Sequence, residues 1–240
     1  MGSGVRPWRI LDSVETPEGV LQIRQRGERD FLMTIGGRVL MTSVAHRSED
    51  ALAELTCGLP GARPRPRILL GGLGMGFTLR AALDRLPAGA IVDVVDLNPA
   101  VVAWCRGGGP LAALTRQAAD DRRVKIQVAD VAAVIARAAP DGYDAILIDL
   151  YEGPHEAVNR SRDPLYGSKA LERTWRALAP GGLFGVWSEE ADDAFARRLA
   201  AAGFETACHQ RARGGRTHTI YVGTKTVSGP RRPRPASARR

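Results

Sequence analysis

Asp149 closes the apolar run Tyr143-Asp144-Ala145-Ile146-Leu147-Ile148-Asp149. An unpaired charge at the end of such a run is costly, so a ligand or a partner is implied there. A carboxylate beside a bound amine can take the amine's proton, which is typically worth about 10²–10⁴ in rate. The competing explanation is a structural hydrogen bond to neighbouring loop amides. Two more acids end apolar runs: Asp96 after Ile91-Val92-Asp93-Val94-Val95, and Asp130 after the run that ends at Ala129. Upstream, Arg67-Ile68-Leu69-Leu70 delivers the chain into a cluster holding Gly71, Gly72, Gly74 and Gly76, and an amphipathic stretch follows at Phe77. Strand, tight glycine turn and helix N-terminus is the arrangement by which an open α/β sheet lets its backbone approach a nucleoside-like ligand. Asp96 lies 20 residues past Gly76, where a carboxylate can accept both hydroxyls of a ribose. It could instead cap the helix that follows. Asp130 has the same two readings, as a helix cap or as the acceptor for an adenine amino group.

The charge of these positions narrows the ligand. No lysine or arginine sits at any of the strand ends, where a phosphate site would want cations. A ring of acids favours a cationic ligand such as a sulfonium, with an amine as its partner. Tyr151, Glu152 and Glu156 follow Asp149 on a loop and could line the acceptor pocket. His46, His155, His209 and His218 lack metal-ligand spacing, so no metal is expected. There is no G-x-S-x-G elbow and no Walker lysine, which removes hydrolase and P-loop readings.

Elements must hold these residues in place. Segments 20–24, 30–35 and 38–42 are strand-like and separated by glycines, as in a β-meander with tight turns. Residues 48–55 read as a helix with Ser48 as its cap. After the proline-rich stretch 60–66 the pattern alternates. Strands are expected at 67–71, 91–96, 124–129, 143–149 and 182–188, and helices at 77–86, 98–105, 111–119, 130–138 and 166–178. That alternation argues for a parallel sheet covered on both faces. A last helix, 190–202, leads to strands 204–212 and 217–223, joined through Gly214-Gly215 as an antiparallel hairpin. The fold class expected is α/β: a Rossmann-like, methyltransferase-type sheet with a small N-terminal β-meander. The organisation expected is a meander and helix over 1–60, a cofactor-binding unit over 61–227 and a disordered Arg/Pro-rich tail over 228–240.

The chain of 240 residues carries a formal charge of +8. Its end, Ser228 to Arg240, holds five of the 34 basic residues and none of the 26 acidic ones, so the remainder carries +3. The tail is expected to touch nucleic acid at most non-specifically. No apolar run approaches the roughly 20 residues that span a bilayer, and the start lacks the apolar core of a secretion signal. Cys57, Cys105 and Cys208 are far apart and read as reduced packing residues. A cytoplasmic protein with no membrane partner is the expectation.

The order of elements from about 10 to 225 resembles the spermidine synthase (polyamine aminopropyltransferase) superfamily. The likeness rests on the meander, on His46-Arg47-Ser48-Glu49-Asp50 entering a helix with Glu54, on the glycine loop, and on Asp96, Asp130 and the run to Asp149. Pro164-Leu165-Tyr166 and Arg176-Ala177-Leu178-Ala179-Pro180-Gly181-Gly182-Leu183 complete it. The resemblance implies that the glycine loop (Gly71, Gly72, Gly74, Gly76), Asp96 and Asp130 bind decarboxylated S-adenosylmethionine, and that Asp149 deprotonates a small-molecule amine acceptor. It also implies a possible homodimer through the meander. The chain departs from the family in three places. Gly74 stands where the family's GGGDGG-type loop has an acid, Asp149-Leu150-Tyr151-Glu152-Gly153 replaces Asp-Ser-x-Asp-Pro, and Leu52 and Ala53 replace a Tyr and a Gln. The expected function is therefore aminopropyl transfer to an amine. The alternatives are methyl transfer from intact S-adenosylmethionine and a non-catalytic nucleoside-binding homologue.

Overall fold

A computed structural model describes residues 6–58, 63–151, 153–154, 162–211 and 218–226. Four strands open the chain: β1 (Arg9–Thr16), β2 (Gly19–Arg26), β3 (Asp30–Ile35) and β4 (Arg38–Thr42). They form an antiparallel sheet in chain order. β1 was not separated out by sequence pattern. Its residues are mostly exposed or half-buried, so they lack the apolar alternation that marks a half-buried strand. The helix α1 (Arg47–Cys57) follows. His46, not Ser48, is its cap residue, and no side chain closes the cap. Ser48 is buried inside the first turn, where its hydroxyl donates to Oε2 of Glu49 at 2.6 Å.

The second sheet has seven strands: β5 (Arg67–Gly71), β6 (Ile91–Asp96), β7 (Val124–Val128), β8 (Tyr143–Ile148), β9 (Leu178–Ser188), β10 (Phe204–Arg211) and β11 (His218–Lys225). Their order across the sheet is β10-β11-β9-β8-β5-β6-β7. β5 pairs in parallel with β6 and β8, β6 with β7, and β8 with β9. β11 is antiparallel to both β9 and β10. This is the expected α/β sheet closed by an antiparallel hairpin. Strand β5 sits where the order reverses, the point at which such sheets bind ligands beyond their carboxyl ends.

Helices α2 (Phe77–Arg85), α3 (Pro99–Cys105), α4 (Val131–Arg137), α5 (Ser168–Ala177) and α6 (Asp193–Ala201) cover the sheet. The helix expected over 111–119 is replaced by two single 3-10 turns, Ala112–Thr115 and Ala118–Asp120. Arg116 and Gln117 between them take left-handed φ values of 54° and 51°, which no α-helix can continue through. β9 begins at Leu178, four residues before the expected start. The strand runs on through Pro180 and Gly181, where Gly181 takes a left-handed φ of 77°, with a register irregularity against β8 between Tyr143 and Ala145. α6 begins at Asp193 because Asp192 caps it, accepting from the amides of Ala194 and Phe195.

One core cluster joins the two sheets. It holds Leu21, Ile23, Phe31, Met33 and Ile35 of the meander together with Leu52, Leu70, Leu73, Met75 and Leu147. A second cluster lies on the opposite face of the large sheet around Ile146, Ile148, Phe184, Phe195 and Tyr221. Burial pushes the thiols of Cys57 and Cys105 up to about 12, so both are inert packing groups. Cys208 is exposed on β10 and is not the packing residue expected. No helix among the described residues is long and apolar enough to cross a membrane.

Candidate functional site

A cleft of about 820 Å³ opens between the meander and the carboxyl ends of the large sheet's strands. Its floor is the turn after β5. There the amide of Gly72 donates to the carbonyl of Val95, and the amide of Asp149 donates to the carbonyl of Gly71, both at 2.8 Å. The strand ends are thereby laced together across β6, β5 and β8. Gly72 has φ +92°, and a Cβ there would lie 2.1 Å from the carbonyl oxygen of Asp149. Only glycine meets both conditions. Gly72 and Gly74 line the cleft. Gly71 and Gly76 instead pack behind it, the first against Val131 and Ile148, the second against Thr115.

Asp96 does not cap α3. Asn98 does, accepting from the amide of Ala100 at 3.0 Å. The carboxylate of Asp96 accepts from the amide of Leu73 at 2.8 Å and from that of Asn98 at 2.9 Å. It is therefore pinned between the glycine turn and the start of α3, on the wall of the cleft. Asp130 caps α4, its Oδ1 accepting from the amide of Ala132 at 2.8 Å. It is also exposed at the cleft's edge. The two readings of Asp130 are thus compatible in one residue.

Asp149 follows the last residue of β8. Thr78, in the first turn of α2, donates its hydroxyl to Oδ2 of Asp149 at 2.5 Å. Burial is the main cause that pushes the Asp149 carboxyl up to about 7. The negative charge of Glu49 adds to that rise, and the Thr78 hydroxyl opposes it. Glu49 projects from α1 into the same cleft and is 8% exposed. Tyr151 lines the outer part, where its hydroxyl donates to Oε2 of Glu18 at 2.6 Å. That bond ties the loop after β8 to the β1–β2 turn. Glu152 and Glu156 lie outside the described residues, as do Gly214-Gly215 and the tail 228–240.

Across the described lining there are seven acids, namely Glu15, Glu18, Glu49, Asp96, Asp130, Asp149 and Asp163, and no lysine, arginine or histidine. Apolar residues of the meander, Leu21, Met33, Ile35, Leu40 and Met41, form the facing wall. Met41 fills the space beside Gly74: a Cβ on Gly74 would meet its sulfur at 2.9 Å. Among the described residues no group of three histidines, cysteines or acids is arranged to hold a metal.

Sequence reasoning missed Glu49, Thr78 and Met41 as members of the site. Glu49 had left a signal. It shares one helical face with Leu52, Ala53 and Thr56, at spacings of three, four and seven, and all are buried. An acid on the buried face of a helix asks for an explanation.

No protein-family model matches the chain. Over 132 residues it is 33% identical to putrescine N-methyltransferase 2 of Nicotiana attenuata, a match covering 54% of this chain and 33% of that protein. Over 162 residues it is 31% identical to the polyamine aminopropyltransferase of Aeropyrum pernix, covering 68% of this chain and 49% of that protein. The chain thus spans between about a third and a half of the length of these curated relatives. Among solved structures, the fold superposes on spermidine synthase from Thermotoga maritima with a TM-score of 0.73, at 18% identity, over 91% of this chain and 74% of that one. Relatives in sequence and neighbours in fold agree with the seven-stranded sheet and its N-terminal meander: the chain is similar to the spermidine synthase-like superfamily and has the methyltransferase-type fold of its spermidine synthases.

Proposed function

We propose that the chain is a transferase that moves an aminopropyl group from decarboxylated S-adenosylmethionine to an amine. The observation that carries this is that the described residues lining the cleft include seven acids and no cation. Decarboxylated S-adenosylmethionine bears a sulfonium and an ammonium, and its partner amine reaches the cleft as a cation. All three suit such a lining, whereas a free carboxylate would not. The names of the relatives, polyamine aminopropyltransferase and putrescine N-methyltransferase, support a polyamine-like acceptor.

The residues fit the group they would hold. Asp96, pinned by two amides, presents a fixed carboxylate to a ribose. Gly72 leaves the backbone bare for close approach, and Asp130 edges the adenine end. When bound, such a sulfonium supplies an alkyl carbon that separates from sulfur as the amine nitrogen bonds to it, and a neutral thioether leaves. Asp149 would take a proton from the bound ammonium and so free the nitrogen lone pair that attacks. A carboxyl with a midpoint near 7 is matched to that task at neutral pH. The acid-lined walls orient amine and sulfonium in line, where alignment contributes most.

One observation favours the second reading, methyl transfer from intact S-adenosylmethionine. Met41 occupies the place beside Gly74, so no acid is available there for an aminopropyl ammonium. Mass spectrometry of products decides between the two. Incubation of the chain and putrescine with decarboxylated S-adenosylmethionine should yield an aminopropyl adduct. Methylated putrescine, formed only from intact S-adenosylmethionine, would replace the first reading by the second. Asp149→Asn should cut turnover by about 10²–10⁴. A wild-type rate in that variant would remove Asp149 as the base.

A further inference from the structure

We propose that Thr78 is a positioning residue whose hydroxyl clamps Oδ2 of Asp149, leaving Oδ1 as the oxygen that receives the proton. The inference rests on the reading of Asp149 as the base. Thr78 is 2% exposed, so its hydroxyl has no ready exchange with bulk water, and it donates to Oδ2 at 2.5 Å. No hydrogen bond to Oδ1 occurs among the described residues. Threonine is β-branched and has only two favoured χ1 wells in a helix, and Thr78 sits one residue into the first turn of α2, whose start is set by the glycine turn. The place from which the hydroxyl reaches Asp149 is therefore set by the same turn that lines the cleft. A carboxylate held at one oxygen cannot swing, which keeps the other oxygen on one line of approach.

The surroundings give the clamp something to oppose. Around Asp149, α1 contributes Glu49, α2 contributes Thr78 and the β5 turn contributes the bare backbone of Gly72, while Tyr151 of the following loop and Trp187 of β9 line the same cleft. Glu49 is the titratable group whose charge acts on Asp149, and together with burial it favours the neutral carboxyl. Thr78 donates to the ionised form and so favours the base. Without the clamp, Asp149 would remain protonated to higher pH and its carboxyl would be free to rotate.

The test is a ¹³C NMR titration of the side-chain carboxyls in the full chain, with the Asp149 resonance identified by its loss in Asp149→Asn. Thr78→Val keeps the volume and removes the donor, and it should raise the Asp149 midpoint by about one pH unit or more. Thr78→Ala, smaller and free of clash, should give a similar shift, whereas Thr78→Ser should return the midpoint to the wild-type position. Glu49→Gln should move it down. An unchanged midpoint in both Thr78→Val and Thr78→Ala would overturn the assignment, as would a serine variant that shifts as far as valine does. The titration reads the carboxyl without turnover, so it fails or holds independently of the base reading, which the Asp149→Asn rate tests.

Discussion

Asp149 carries its charge where burial opposes it, and that opposition has a measurable sign. Its folded-state carboxyl titrates near 7, against a usual value of 3.8. The folded chain therefore holds a proton that the unfolded chain has lost between those two values. The contribution of this carboxyl to stability is greatest below about pH 4, falls as pH rises through this window, and stays reduced above pH 7. Asp149→Asn abolishes the dependence. Thermal unfolding should show the variant more stable than wild type at pH 8 and nearly equal to it at pH 4. Equal midpoints at both pH values would contradict the buried, raised carboxyl. Asp149 and Asp96 were legible in sequence because each ends an apolar run, where a charge stands out. Thr78 was not: a threonine early in a helix is unremarkable until the fold sets it against Asp149. Met41 reads in sequence as one more apolar residue of a strand, and only the closeness of Gly74 gives it a role.

The glycine turn is the element on which cofactor choice is expected to depend. Gly74 has φ +51°, a region that aspartate tolerates better than most residues. Backbone conformation alone would thus permit an acid there, and the Met41 thioether, the far end of a flexible side chain, would have to shift to make room for it. Gly74→Asp alone should cost little stability, because the Met41 sulfur can swing aside. Gly74→Asp, with Met41→Ala to clear the space, should favour the decarboxylated cofactor over the intact one by about tenfold relative to wild type. Calorimetric binding of both cofactors to the two variants measures this. An unchanged preference in the double variant would show that the pair does not set cofactor choice. At this scale the parallel strands were legible as short apolar runs spaced by amphipathic ones. The stretch 111–119 was misread because its composition suits a helix, while the left-handed Arg116 and Gln117 break it into two turns. β1 was missed because a mostly exposed edge strand lacks the alternation that reveals a half-buried one.

At the scale of the whole molecule, the meander is part of the site and part of the core. Its apolar side chains share a cluster with the turn after β5. Trp104 of α3 donates from Nε1 to Oδ2 of Asp12 at 2.7 Å, and Tyr151 holds Glu18. Removal of residues 1–44 should therefore leave a chain that binds a hydrophobic dye and unfolds without a cooperative transition. A truncated chain that unfolds sharply and binds no dye would show the large sheet to be self-sufficient. The layered architecture was legible from the order of elements. The closing of the cleft by the meander was not, because it depends on contacts between segments far apart in the chain.

The central claim is that this cleft takes a cationic S-adenosyl sulfonium. Isothermal titration calorimetry of the full chain with decarboxylated S-adenosylmethionine, intact S-adenosylmethionine and methylthioadenosine tests it most directly. The acids among the cleft's described lining residues predict binding of the decarboxylated form in preference to the intact one. Failure of all three to bind would contradict the account.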